Sequence, residues 1–84
     1  MSYRITYTDR ARSDLQAMPR SVRTDFEGAM RKTLGRDPYG HGSEPMKSRE
    51  PDRRIATVHA AVVRYQVTTG LVLMVTALEI AHLY

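Results

Sequence analysis

Glu44, Arg54, Arg64, His82 and Tyr84 of this 84-residue sequence are of types that suit acid–base work on an anion. A carboxylate, an imidazole and a phenol can move protons, and guanidinium groups can neutralise charge that develops on a reacting oxygen. Only histidine has an unperturbed pKa near neutrality. A tyrosine near about 10 and a glutamate near about 4.3 both need help from their surroundings. Lys47, Arg49 and Arg53 are the candidates for holding a polyanion nearby. Glu44, Arg54 and these three basic residues lie in one turn-rich segment, residues 37–55, DPYGHGSEPMKSREPDRRI. Each also has a plainer reading. Glu44 beside Pro45 suits a solvated loop carboxylate, and Arg53 and Arg54 suit edge protection at the start of a strand.

The elements that must position these residues are constrained by size. A chain of 84 residues is one small domain with a thin core, so binding a partner matters for its stability. Cysteine is absent, which excludes disulfide frameworks, thiolate metal sites and a cysteine nucleophile. His41 sits between two glycines and His59 near a turn, neither at metal-ligand spacing from a partner, so no metal or cofactor is expected. Neither a signal peptide nor a membrane-length apolar run is present, and a soluble cytoplasmic protein is expected. The net charge is +4, with eleven arginines against two lysines. That balance suits a polyanionic partner, either nucleic acid or an acidic protein. Residues 1–36 hold eight basic and four acidic side chains, whereas 37–55 hold four of each. The turn-rich segment is therefore locally neutral.

Alternation of Tyr3, Ile5 and Tyr7 with polar residues predicts a short first strand. Thr8 or Asp9 can cap a helix carrying Ala11, Leu15 and Met18, which Pro19 ends. Val22, Phe26, Ala29, Met30 and Leu34 give a second helix its apolar face, with Gly35 as its C-terminal cap. Residues 54–59, 61–68 and 71–78, rich in Val, Ile, Tyr and Thr, predict three strands. Thr68-Thr69-Gly70 marks the turn between the last two, and the turn at His59-Ala60 is weakly marked. The order β-α-α-β-β-β predicts an α+β domain, with a helical hairpin on one face of a small, twisted, mainly antiparallel sheet. Tyr3, Tyr7 and Tyr65 are expected in the core or on sheet faces, and Met18 and Met30 in the core.

This order, and the motifs within it, resemble the RelE/ParE superfamily of bacterial toxins. YRITYTDRARSDLQAMP is similar to the family's first strand and helix, and VRTDFEGAMRKTLGRDPYG to its second helix and Asp-Pro exit. RYQVTTGLVLMVTAL resembles the closing hairpin with its tyrosine. The segment around Gly40-x-Gly42 and Glu44-Pro45-Met46-Lys47, with the ending His82-Leu83-Tyr84, is most similar to the YoeB branch. Two positions depart from the pattern. The family places an arginine three residues before the hairpin tyrosine, where this chain has Val62, with Arg64 beside Tyr65 instead. Leu83 separates His82 from Tyr84, which are adjacent in YoeB.

The resemblance implies a toxin of a type II toxin–antitoxin module. It implies a ribosome-dependent mRNA endonuclease that needs no metal, held inactive by a cognate antitoxin protein. In such cleavage a 2′-hydroxyl attacks the adjacent phosphate. Glu44 or His82 would serve as base and His82 or Tyr84 as acid, with Arg54 and Arg64 supplying charge. Lys47, Arg49 and Arg53 would hold RNA. Two alternatives stay open: a ParE-like inhibitor of DNA gyrase acting through protein contacts, or an attenuated homologue that only binds antitoxin. The resemblance implies no particular homo-oligomer state.

Overall fold

The computed structural model describes residues 2–82, so Tyr84 lies outside the described residues. Strand β1 (Arg4–Tyr7) leads into helix α1 (Asp9–Gln16) and helix α2 (Arg20–Lys32). Four strands follow: β2 (Glu44–Lys47), β3 (Glu50–Val58), β4 (Ala61–Thr68) and β5 (Met74–His82). They form a five-stranded sheet in the order β1-β5-β4-β3-β2. The meander from β2 to β5 is antiparallel, and β1 joins β5 in parallel at the edge. The expected α+β architecture holds, with one strand more than the sequence pattern predicts.

That extra strand is β2. Its sequence EPMK lacks the usual strand formers and all four residues are exposed, so neither propensity nor alternation marks it. Pairing with β3 makes it a strand. The same pairing draws the start of β3 back from residue 54 to Glu50. The weakly marked turn between β3 and β4 is a tight one, with both His59 (φ 46°) and Ala60 (φ 62°) in the left-handed region. Two successive positive φ values match the strand twist of a two-residue hairpin, even without the usual Asn-Gly. β5 begins at Met74 rather than residue 71, leaving Leu71 fully exposed at the hairpin tip.

Both helices lie on one face of the sheet, where alternate side chains meet them. Ala11, Leu15, Met18, Phe26, Met30 and Leu34 pack against Ala56, Val58, Val63, Tyr65, Val67, Val75, Ala77 and Ile80, all buried. Pro19 precedes α2 as its cap residue. Leu34 and Gly35 lie beyond the α2 C-cap, which is Thr33 rather than Gly35. Gly35 is needed for a different reason: a Cβ there would come within 2.6 Å of the Arg31 carbonyl oxygen.

Thr8 fixes α1 to the sheet. Its hydroxyl accepts from the Ala11 N–H (3.2 Å) and donates to the Leu78 carbonyl (3.0 Å). Its own N–H donates to the Ala77 carbonyl (3.0 Å). Where β1 ends, α1 takes over the β5 edge, and the Asp14 carboxylate accepts from the Ile80 N–H (3.0 Å). Replacing Thr8 with alanine removes the cap, and a loss of about 1–2 kcal/mol is expected in urea unfolding. Among the described residues, no helix is long and apolar enough to cross a membrane.

Candidate functional site

The helices cover one face of the sheet and leave the other open. Strand alternation assigns each candidate to one of these faces, because successive side chains point opposite ways and directly paired residues share a side. Arg54 pairs with Tyr65, whereas Ile55 pairs with Arg64. Tyr65 is fully buried under the helices. Arg54 therefore belongs to the covered side, and Arg64 to the open one.

Arg54 is 9% exposed, the one charged residue among the buried described residues. Its Nε donates to Ser43 Oγ (3.0 Å), Nη2 to the Ser43 carbonyl (3.1 Å) and Nη1 to the Pro51 carbonyl (2.9 Å). Its guanidinium also lies 5.3 Å from the centre of the Tyr39 ring, within cation–π range. The Tyr39 hydroxyl donates to Asp52 (2.6 Å). Partial burial, then this bond, pushes its pKa up to about 12. Tyr65 donates its hydroxyl to the Pro38 carbonyl, and burial raises its pKa as well. Arg54 and Tyr65 thus tie residues 38–51 to the sheet. The expected partnership of Arg54 and Arg64 at one phosphate is not formed, because the sheet stands between them.

His82 is also placed apart. It follows Ile80, a core residue, by two positions. It lines a cavity of about 400 Å³ with Asp14, Ala17, Met18 and Pro19, on the helix side. The tail beyond it, with Tyr84, lies outside the described residues.

The open face does hold two of the expected residues, Glu44 and Arg64, in one row. Glu44 pairs with Ile55, Ile55 with Arg64, and Arg64 with Glu79. The result is a row across four strands. With strands about 4.8 Å apart, Glu44 and Arg64 stand roughly 10 Å apart at Cα, a gap that a bound phosphodiester can fill. Glu44 lines a shallow depression of about 250 Å³ with Gly42, Ile55, Ala56, Thr57 and Val62. Val62, at the position where the resembled pattern has an arginine, therefore lines the same depression as Glu44. A second row runs Thr6, Thr76, Gln66 and Arg53. There Thr6 bonds Thr76 (3.1 Å) and Arg53 Nε donates to Gln66 Oε1 (3.2 Å). Arg49 and Arg53 border a further depression of about 250 Å³ with Glu50, Pro51, Asp52 and Gln66. Lys47 is exposed where β2 ends, paired with Glu50.

Sequence reading missed Glu79, whose carboxylate is 3.1 Å from Arg64 and 3.2 Å from Arg10. No strand pattern would have found it. The Arg64–Glu79 pairing requires a bulge in β5 between Ala77 and Glu79, where the register shifts. Among the described residues no cluster of ligating side chains suits a metal ion. A separate groove of about 520 Å³ lies at the β1 edge, lined by Tyr3, Arg4, Ile5, Tyr7, Glu27 and Arg31. In it burial, then the Glu27 charge, pushes the Tyr7 pKa up to about 12.

Neither a protein-family model nor a curated protein sequence matches the chain. Solved structures do. A chain of the RelBE2 toxin–antitoxin complex from Mycobacterium tuberculosis is 20% identical, with a TM-score of 0.81 over 98% of this chain and 99% of that one. The YoeB/ParE toxin from Agrobacterium tumefaciens is 14% identical with a TM-score of 0.70, over 96% and 99% of the two chains. A chain of the archaeal RelE–RelB complex from Pyrococcus horikoshii is 17% identical with a TM-score of 0.67, over 99% and 97%. Over its described residues, this chain has the RelE/ParE toxin fold.

Proposed function

We propose that this protein is the toxin of a type II toxin–antitoxin pair and a metal-independent, ribosome-dependent mRNA endonuclease. A cognate antitoxin would silence it in the cytoplasm. The observation that carries the reading is the open-face row of Glu44 and Arg64, on a fold whose likeness to a toxin–antitoxin complex chain covers 98% of this chain.

In this reading RNA lies across the open face. Glu44 takes the proton of the 2′-hydroxyl, whose oxygen forms a bond to the adjacent phosphorus while the bond to the 5′-oxygen breaks. Arg64, with Arg53 next along the face, stabilises the charge on the phosphoryl oxygens. A proton returns to the departing 5′-oxygen, leaving a 2′,3′-cyclic phosphate and a 5′-hydroxyl. His82 or Tyr84 is the acid in this reading; His82 lines the helix-side cavity, and Tyr84 lies outside the described residues. Lys47 and Arg49 hold the flanking phosphates. Arg54 acts indirectly, by fixing the loop that ends at Glu44.

Induced expression without antitoxin should stop growth, with mRNAs cut inside their reading frames on ribosomes. Growth arrest with intact mRNA and DNA-damage signalling would replace this reading with gyrase inhibition.

A further inference from the structure

Two guanidinium groups from separate elements converge on one carboxylate at the edge of the open face. Arg10 Nη2 lies 3.2 Å from Glu79 Oε1, and Arg64 Nη1 lies 3.1 Å from Glu79 Oε2. Each oxygen has its own guanidinium, an arrangement that suits the two non-bridging oxygens of a phosphodiester equally well. We propose that Arg10 and Arg64 form a phosphate clamp for single-stranded RNA, which Glu79 occupies in the free protein.

Three observations support it. The first is the bulge. In an unbroken ladder Leu78 would oppose Arg64, because Ala77 opposes Tyr65. One extra residue turns Glu79 to Arg64 and returns Ile80 to the core. Bulges re-aim side chains in this way beside functional sites. The second is anchoring. Arg10 projects from a helix held to β5 through Thr8 and Asp14, and its Nε also lies 3.6 Å from Asp14. The helix that carries Arg10 therefore stays in place when the carboxylate moves. The third is exposure. The side chains of Arg10, Arg64 and Glu79 are 67%, 48% and 33% exposed. Ion pairs this open to water contribute little, so an incoming phosphate displaces Glu79 readily. The neighbouring Arg53 and hydroxyl-bearing second row favour RNA over an acidic peptide.

The inference rests on the RNA-cleaving reading and deepens it by adding Arg10 as a binding residue and Glu79 as a competitor. The test is fluorescence titration of the whole protein with a labelled 12-nucleotide 2′-O-methyl RNA, which binds but cannot be cut. Glu79→Gln should bind roughly 5–10-fold tighter than wild type. Its salt dependence should be steeper by about 0.7, one more phosphate contact. Arg10→Gln should weaken binding, and Arg10→Gln with Glu79→Gln should lose the gain. Unchanged or weaker binding by Glu79→Gln at an unchanged melting temperature overturns the clamp, as does a gain that survives in the double variant. So does a gain for a poly-glutamate peptide but not for RNA. Wild-type cleavage on ribosomes without the Glu79→Gln binding gain removes the clamp alone. The binding gain without cleavage supports the clamp and removes the nuclease reading alone.

Discussion

Arginine in place of Val62 is expected to raise mRNA cleavage on ribosomes by about 10²-fold. Val62 shares the open face with Arg64 and lines the same depression as Glu44. Its partner Thr57 is exposed, and Ile55 beside it is half-buried. A guanidinium there can lie along Ile55 with its head toward Glu44 and the reacting phosphate. It would supply the cation that the resemblance places three residues before the hairpin tyrosine. Removing one preorganised donor to a developing oxyanion typically costs 10²–10³-fold in rate, or about 3–4 kcal/mol, which sets the scale of the gain. Stability should move by no more than about 0.5 kcal/mol, because the site is not in the core. Primer extension on programmed ribosomes gives the ratio. A ratio within twofold of unity, with binding intact, would mean that the reacting phosphate does not sit at the Glu44 depression.

Arg54→Met is expected to act on the other side of the sheet and on a different property. It removes three hydrogen bonds from a buried group and leaves the Ser43 and Pro51 carbonyls without their donor. Deleting one partner of a buried charged hydrogen-bond network costs about 3 kcal/mol. A small domain has about 5–15 kcal/mol in total, so much of its stability goes. The urea midpoint should fall at unchanged slope. Cleavage per folded molecule should change far less than in an Arg64 variant, since Arg54 acts through the loop. Lost cleavage with an unmoved midpoint would instead make Arg54 a group at the phosphate.

These two variants mark where the sequence was legible. Both helices, their apolar faces and the closing hairpin followed from periodicity, because Phe26, Met30, Tyr65 and Val63 are dictated by one buried face. β2 was not legible, since its exposed EPMK is made a strand by its neighbour alone. Nor was the β5 bulge, which no alternation encodes and which decides that Glu79 meets Arg64. Type and resemblance mark Glu44 and Arg64 as candidates, and the register places them on one face, two strands apart. Arg54 and His82 were equally plausible by type. One residue of register sets Arg54 on the far side of the sheet, and the bulge carries His82 there too.

RNA chemistry on the open sheet face, through Arg64, is read out by cleavage on ribosomes. Purified wild type and Arg64→Gln are added to ribosomes stalled on a defined mRNA, and cuts are mapped by primer extension. Cleavage by wild type is expected only when ribosomes are present. A loss of about 10²-fold or more is expected in Arg64→Gln, with the urea midpoint unchanged. No cleavage by wild type, or equal cleavage by Arg64→Gln, would contradict RNA chemistry through Arg64.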